Sequence, residues 1–380
     1  MTMSAKPTIH VLGMGSMGTL LSVNMIRSSN VNIIPLFRNL AKVNKFKEEA
    51  HSTIGMRKVY LEDKPLSTAI LNTVYCPETF PKDNIIKNLI ITTKTYQTKD
   101  ALTPYLSYIN KDTNLIMVQN GLGVLDVLRD DIFTTPNERP NLFQGVIAHG
   151  AFQDHDFIFN HAGFADMKIA RLPWDEQNIL QTKTVVTKDA SENELVQIFM
   201  DDAVKESLDI HHMTYQELLL GQLFKFLINS CINSVTAIVD ADNGEIVENC
   251  KPVFRSIVTE ALEILRIAYK PLFEYETKFN NSPNYPVLSV DKTLDIEYLV
   301  TEINRIGCIL NKHNSSSMRQ DTRYLRDTEI DYINGYTVQL AEKLHLGTGS
   351  AKVNKTICEL VNLRLGLNRK RAAEGEWKYK

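Results

Sequence analysis

Near the start of the 380-residue chain, Thr8-Ile9-His10-Val11-Leu12 runs without a break into Gly13-Met14-Gly15-Ser16-Met17-Gly18, and that into Thr19–Ile26. A short apolar run of strand type, a glycine turn and a helical stretch follow one another in that order. The first glycine allows the turn. The second lets the backbone approach a pyrophosphate. The third lets the helix close on the strand, and the N–H groups of the helix start face negative charge. A turn of this kind belongs to a doubly wound α/β domain that holds a dinucleotide. A glycine-rich turn without a ligand is the alternative that this segment leaves open.

Val31–Phe37 reads as the second strand. Pro35 is a flaw in it, tolerable near a strand end because proline donates no ladder hydrogen bond. Where an NAD site usually places Asp or Glu on the ribose hydroxyls, the chain has Arg38, followed by Asn39. A guanidinium binds a 2′-phosphate that a carboxylate would repel, so the expected cofactor is NADPH. An arginine that merely ends a strand is the bland reading.

Two further strands end in polar loops: Asn88–Thr93 before Lys94-Thr95-Tyr96-Gln97, and Asn114–Gln119 before Asn120-Gly121-Leu122-Gly123. Lys94 and Asn120 therefore stand at strand ends, where open parallel sheets bind ligands; each is also an ordinary turn residue. Between them, Asp100–Ile109 reads as helix with Pro104 at a kink or start. Leu142–Ile147 is a strand leading to His149-Gly150-Ala151. Phe157–Phe159 and Met167–Ala170 read as short strands with a turn at Asn160–Gly163. The pattern breaks down over Leu172–Glu194, which reads as a surface insertion.

From about His211 no strand pattern returns. The expected division is a dinucleotide-binding Rossmann-type domain over 1–210 and an all-α domain over 211–380. Helices are expected over Pro252–Phe273, Ile296–Asn311, Arg323–Ala341 (one or two) and Val353–Leu367, with a frayed basic tail from Arg369 onward. Leu223–Val239 is apolar on nearly every side yet carries Lys225, Asn229 and Asn233 at spacings of four, one polar ribbon on a helix. A buried, unpartnered ammonium costs several kcal/mol, so those groups face a buried carboxylate or a polar ligand.

Apolar residues make up 43% and charged residues 23%, enough to fill two cores of ordinary size. The net charge of −3 argues against general affinity for nucleic acid or anionic membrane. Five scattered cysteines with no CxxC and no HExxH suggest reduced thiols and no metal site, hence a cytoplasmic location. No uninterrupted apolar run reaches about 18 residues, so no membrane span is expected. With a strand beginning near Thr8, no cleaved leader is expected.

Read in order, Gly13–Gly18, Arg38, Lys94 with Gln97, Asn120-Gly121, Lys225/Asn229/Asn233, Asn243-Gly244-Glu245, Ser317-Met318, Asp321 and Glu329–Gly335 resemble the ketopantoate reductase family over most of the chain. The resemblance implies a Rossmann domain followed by an all-α domain, an active site in the cleft between them, and NADPH-dependent reduction of ketopantoate to pantoate on the route to coenzyme A. It makes Lys225 the general acid, with Glu329 as its partner or that of a cofactor hydroxyl. It places substrate on Asn120, Lys225, Asn229, Asn233, Asn243 and Ser317. The cofactor falls to Gly13, Met14, Gly15, Ser16, Met17, Gly18, Arg38, Lys94, Asn120, Glu329 and the backbone of Ala151. Simpler roles exist: Ser317 also fits a helix N-cap closed by Gln320, and Glu329 a first-turn acid. The chain exceeds the compact members near Leu172–Glu194 and Tyr275–Asp295, as fungal members do. The partner expected is a small 2-oxo acid, with a homodimer left open. A reductase of another branched 2-oxo acid and a non-catalytic NADPH sensor are the competing readings.

Overall fold

A computed structural model describes residues 6–175 and 178–379. Its strands are β1 (Thr8–Leu12), β2 (Asn32–Leu36), β3 (Thr53–Lys58), β4 (Leu66–Ile70), β5 (Asn88–Ile91), β6 (Asn114–Val118), β7 (Asn141–Ile147), β8 (Gly150–His155), β9 (Ile158–Gly163), β10 (Met167–Arg171) and β11 (Ile210–His212). The chain forms two units, one of Met1–Gln119 with Leu125–Leu218, the other of Asn120–Val124 with Leu219–Lys380.

The first unit holds a seven-stranded sheet in the order β11-β10-β7-β6-β5-β1-β2. Every adjacent pair is parallel except β10 with β7. Both β5 and β6 are buried along their whole length. Each opens on an asparagine, Asn114 Nδ2 donating to Asn88 Oδ1 at 2.9 Å, and continues as an apolar run, as a covered parallel sheet requires. The chain steps from β1 out to β2 and then returns to the far side of β1 for β5. Strand order reverses there, which is where open α/β sheets bind ligands.

Pro35 stands in register with Val11 on the edge strand β2. Its carbonyl accepts from Tyr75 N at 3.0 Å on the outer side, and Phe37 N donates to Tyr75 O at 2.8 Å. The missing N–H therefore faces outward, not into the β1 ladder.

A second sheet, β4-β3-β9-β8, covers the other side of the first helix, Ser16–Ser28. Leu20, Leu21, Val23 and Met25 of that helix share a core with Ile9, Val11, Ile54, Met56 and Phe157. At about 1.5–3 kcal/mol for each such side chain, this burial fixes the helix start against the end of β1.

Several expectations are corrected. Asn160–Gly163 is no turn but part of β9, held by ladders to both β3 and β8. Leu172–Glu194, read as a surface insertion without pattern, is regular structure over part of its described residues. It contains the helix Lys183–Glu192, whose Asp189 is buried on Arg171 through Nε at 2.9 Å, and the adjoining helix Glu194–Phe199 buries Leu195, Val196, Ile198 and Phe199. The buried ion pair ties this helix to the end of β10. A short strand, β11, also lies where none was expected past 210.

The second unit is helical, apart from the strip Asn120–Val124. Its central helix, Tyr215–Val239, is long and apolar enough to cross a membrane by length and composition, but 67% of its most apolar window is buried inside the protein. Three helices bond to it: Lys251–Ala268 through Phe254 O and Cys231 Sγ, Asn334–Lys343 through Asn334 Nδ2 to Ser230 O at 3.1 Å, and Lys352–Ala373 through Arg364 Nε to Ile238 O at 2.8 Å; Ile296–Ile303 packs on Lys251–Ala268. Glu260 caps Lys352–Ala373 from outside, accepting Val353 N and Asn354 N, each at 2.8 Å. Arg323–Ala341 proves to be interrupted: one helix ends at Arg323, and a short turn at Ile330–Tyr332 precedes Asn334–Lys343. The basic tail is not frayed. Helix continues to Ala373, Trp377 Nε1 donates to Arg323 O at 2.8 Å, and the Arg323 guanidinium lies 4.4 Å from the Tyr379 ring centroid.

Candidate active site

The candidate cofactor site in the first unit is built on backbone. Gly13 has φ +106°, and a Cβ there would lie 2.6 Å from Thr93 N. A Cβ at Gly18 would overlap the Gly13 carbonyl oxygen, which also accepts from the Thr92 hydroxyl. Both glycines are thus demanded by the protein itself. Gly15 differs: a Cβ there meets no atom within 4 Å. It is the N-cap of the first helix, with no side chain capping the end and no acid in the first turn. Open space, uncapped N–H groups of Ser16 and Met17 and the positive helix end fit a pyrophosphate. Met14 and Met17 pack partly buried against the core beneath the turn.

At the end of β2, Arg38 is exposed, while the Asn39 side chain is committed to Lys42 N at 3.0 Å as a helix cap. Lys42, which the sequence reading passed over, holds its ammonium 4.9 Å from the Phe157 ring centroid. Burial first, then repulsion from Lys45 and Arg38, pushes the Lys42 pKa down. Cations crowded in this way attract an anion. The spacing Arg38/Lys42, four apart, was the available signal.

Lys94 is half-buried at the head of the turn Thr95–Gln97, after β5. Gln119 stitches this region to β6, donating through Nε2 to Thr93 O at 2.8 Å and Thr98 Oγ1 at 2.7 Å. Ala151 lies on β8, in register with His161 of β9, and β8 packs on the first helix. Behind it, His149 Nδ1 lies 3.0 Å from His161 Nε2 and His149 Nε2 lies 2.9 Å from Leu208 O. A carbonyl only accepts, so His149 Nε2 donates and its Nδ1 accepts from His161. Burial, reinforced by repulsion from His149, pushes His161 down to about 4, so the pair is neutral at pH 7.

The candidate residues of the second unit act through side chains. Lys225 and Asn229 are half-buried, and Asn233 is buried, on one face of Tyr215–Val239. The helix's small hydroxyls are committed to its own carbonyls: Ser230 to Phe226 O at 2.8 Å and Thr236 to Ile232 O at 2.6 Å. The larger polar groups are what the helix presents. Asn243 is 5% exposed, and its Oδ1 has no hydrogen-bond partner among the described residues. Ser317 is exposed at the start of Ser317–Arg323, but the cap is its neighbour Ser316, which accepts from Arg319 N at 3.2 Å. The expected capping role thus moves by one residue. Ser316 Oγ also lies 2.7 Å from Thr236 Oγ1, fastening this helix start to the long helix.

Asn120 and Glu329 are brought together through backbone. Leu122 N donates to Tyr332 O at 2.9 Å, and Tyr332 N donates to Glu329 O at 3.0 Å. Gly121, with φ +81°, fits against Tyr332, where a Cβ would overlap the carbonyl. Glu329 is 5% exposed. Gly13–Gly18, Arg38, Lys94 and Ala151 belong to the first unit, and Asn120, Lys225, Asn229, Asn233, Asn243, Ser317 and Glu329 to the second.

Residues 9–174 match the sequence family ketopantoate reductase PanE/ApbA, and residues 217–364 match its C-terminal family. The chain is 52% identical over 378 residues to a 2-dehydropantoate 2-reductase of Saccharomyces cerevisiae, covering 100% of both. Among solved structures it is similar to a D-mandelate dehydrogenase in a ternary complex with NADH and anilino(oxo)acetate, at TM-score 0.71 and 18% identity, covering 95% of this chain and 98% of that one. A dimeric ketopantoate reductase from Staphylococcus aureus matches at TM-score 0.62 and 19% identity, over 95% and 99%.

Proposed function

The chain belongs to the ketopantoate reductase family and is an oxidoreductase that reduces 2-dehydropantoate (ketopantoate); we propose that its reductant is NADPH and that Lys225 is the general acid. The observation that carries the assignment is the polar ribbon Lys225/Asn229/Asn233 on an otherwise apolar helix. Gly13–Gly18 would hold the dinucleotide, which would supply the hydride when bound. Charge then grows on the former ketone oxygen, and an ammonium at Lys225 Nζ stabilises it and delivers the proton. An ordinary lysine, with a pKa of about 10.4, is protonated and ready at neutral pH.

Asn229, Asn233, Asn243 and Ser317 hold the substrate by its carboxylate and hydroxyl. Asn243 favours a hydroxylated substrate in particular. Its buried Oδ1, without a partner among the described residues, needs a donor, and at neutral pH the hydroxyl is the one donor ketopantoate carries. Asn120 and Glu329, on neighbouring turns, hold the region where cofactor ribose and substrate meet. Arg38, with Lys42 beside it, takes the 2′-phosphate; Lys94 and the Ala151 backbone complete the cofactor's contacts. The five free thiols support a reducing compartment, and we place the enzyme in the cytoplasm. A homodimer is the assembly proposed, testable by light scattering.

The deciding experiment follows NADPH oxidation with ketopantoate and with its analogue lacking the 4-hydroxyl. Turnover of ketopantoate, with kcat/KM for the analogue lower by at least about tenfold, supports the assignment. NADPH binding without turnover overturns it, and equal kcat/KM for the two acids removes the role given to Asn243.

A further inference from the structure

We propose that Arg319 is a positioning residue for the reaction: its guanidinium sets Asn243 against Ser317. The proposal rests on reading those two residues as substrate ligands. The long helix ends at Val239, and Asp240 turns the chain with φ 55°. Asp242 then caps the turn that begins at Asn243, in a reciprocal box with Glu245. Arg319 is 3% exposed and reaches this loop from the first turn of Ser317–Arg323. Its Nε donates to Asp240 Oδ1 at 3.1 Å and its Nη2 to Asp240 O at 3.0 Å. Its Nη1 reaches the Asp242 carboxylate and, at 3.3 Å, Ser315 Oγ. Arg323 Nε adds a second donor to Asp240 Oδ1 at 2.6 Å. Two cations and two carboxylates balance, as burial requires.

Two observations separate this arrangement from a plain structural ion pair. The first is position. A cation in the first turn of a helix opposes the helix dipole, so the placement of Arg319 is held against its local preference by the Asp240 loop. The second is redundancy. The same segments are already joined without Arg319, through Asn243 N to Asn314 O at 3.0 Å, Gly244 N to Lys312 O at 2.9 Å and the Thr236–Ser316 hydroxyl pair. Those links hold the segments together at single points. A planar fork gripping four acceptors from both segments also fixes the rotation of Asp240–Asn243. A small displacement of a ligand-holding group is enough to weaken productive binding.

Arg319→Met should raise KM for ketopantoate by about tenfold, leaving kcat within about threefold and the NADPH Kd within about twofold. On an Asn243→Ala background the same substitution should add little to KM, because the two act as one unit. A wild-type KM in Arg319→Met, alongside a raised KM in Asn243→Ala, overturns the proposal, as does a full additional KM effect in the double variant. A wild-type KM in Asn243→Ala instead overturns the substrate reading beneath it. Should Arg319→Met fail to fold, Asp242→Asn alters only a half-exposed end of the network. A KM rise of about threefold is expected there, and an unchanged KM overturns the proposal.

Discussion

At Gly13–Gly18 the groups proposed to hold the cofactor are backbone N–H groups, and two of the three glycines are there because any side chain would collide with protein. Along Tyr215–Val239 the backbone is spent on the helix, small hydroxyls bond back to it, and the groups proposed to act on substrate are long side chains on one face. The turn is complete within a dozen residues. The ribbon is not: its companions, Asn243, Ser317 and Glu329, come from later segments, and Asn120 from a strip of chain a hundred residues earlier. Binding a constant pyrophosphate needs only a shaped backbone, whereas holding one substrate for one proton transfer needs side chains gathered from far apart.

The sharpest test of that contrast is Lys225→Ala. It should lower kcat by about a hundred- to ten-thousandfold while NADPH affinity stays near wild type, because the loss falls on proton delivery. Steady-state kinetics with fluorescence titration of NADPH checks it, and near-normal kcat would show that the acid lies elsewhere. Next come the two kinds of glycine. Gly18→Ala should destabilise the ligand-free protein by about 1–3 kcal/mol and weaken NADPH as well. Gly15→Ala should leave the ligand-free Tm unchanged and raise the NADPH Kd by about tenfold, since its Cβ meets only the ligand's space. Equal loss of Tm in both variants would erase the distinction.

A smaller effect is expected for Arg38→Glu, which should reduce the preference for NADPH over NADH by about tenfold, read as the ratio of kcat/KM values. The smallest concerns acid. The first unit buries His10, His149 and His161, whereas the second unit's His313 and His345 are exposed. Burial holds both His10 and His161 down to about 4, against about 6.5 for an unfolded histidine. Between those values the unfolded chain binds more protons, so stability is full above about pH 6.5 and falls as pH drops towards 4. Wild type should lose several degrees of Tm more than His161→Phe over that window, and parallel pH profiles would contradict it.

The legibility of the chain follows the same division. Strands β1, β2, β5, β6 and β7 and the glycine turn could be read because each is a local pattern with one physical meaning. The second sheet was harder. Asn160–Gly163 has turn-like composition, and only its ladders to β3 and β8 make it strand. Leu172–Glu194 resisted for a similar reason, since Asp189 has a meaning only beside Arg171. The ribbon on the long helix was visible from spacing alone. That Ser316 rather than Ser317 caps its helix was not, because adjacent serines are equivalent until Thr236 selects one. Arg319 was invisible for the plainest reason: nothing in a short helical segment announces two aspartates some eighty positions upstream.

The strip Asn120–Val124 leaves β6 of the first unit yet belongs to the second, seated by Leu122 N on Tyr332 O and by glycines shaped to Tyr332 and Tyr336. The two units are therefore not interchangeable modules with a single seam. A chimera assembled from two relatives by joining their chains near Leu218 would pair one parent's strip with the other parent's tyrosines. To transplant the helical unit intact, the five residues Asn120–Val124 have to travel with it, spliced separately into the recipient's first unit.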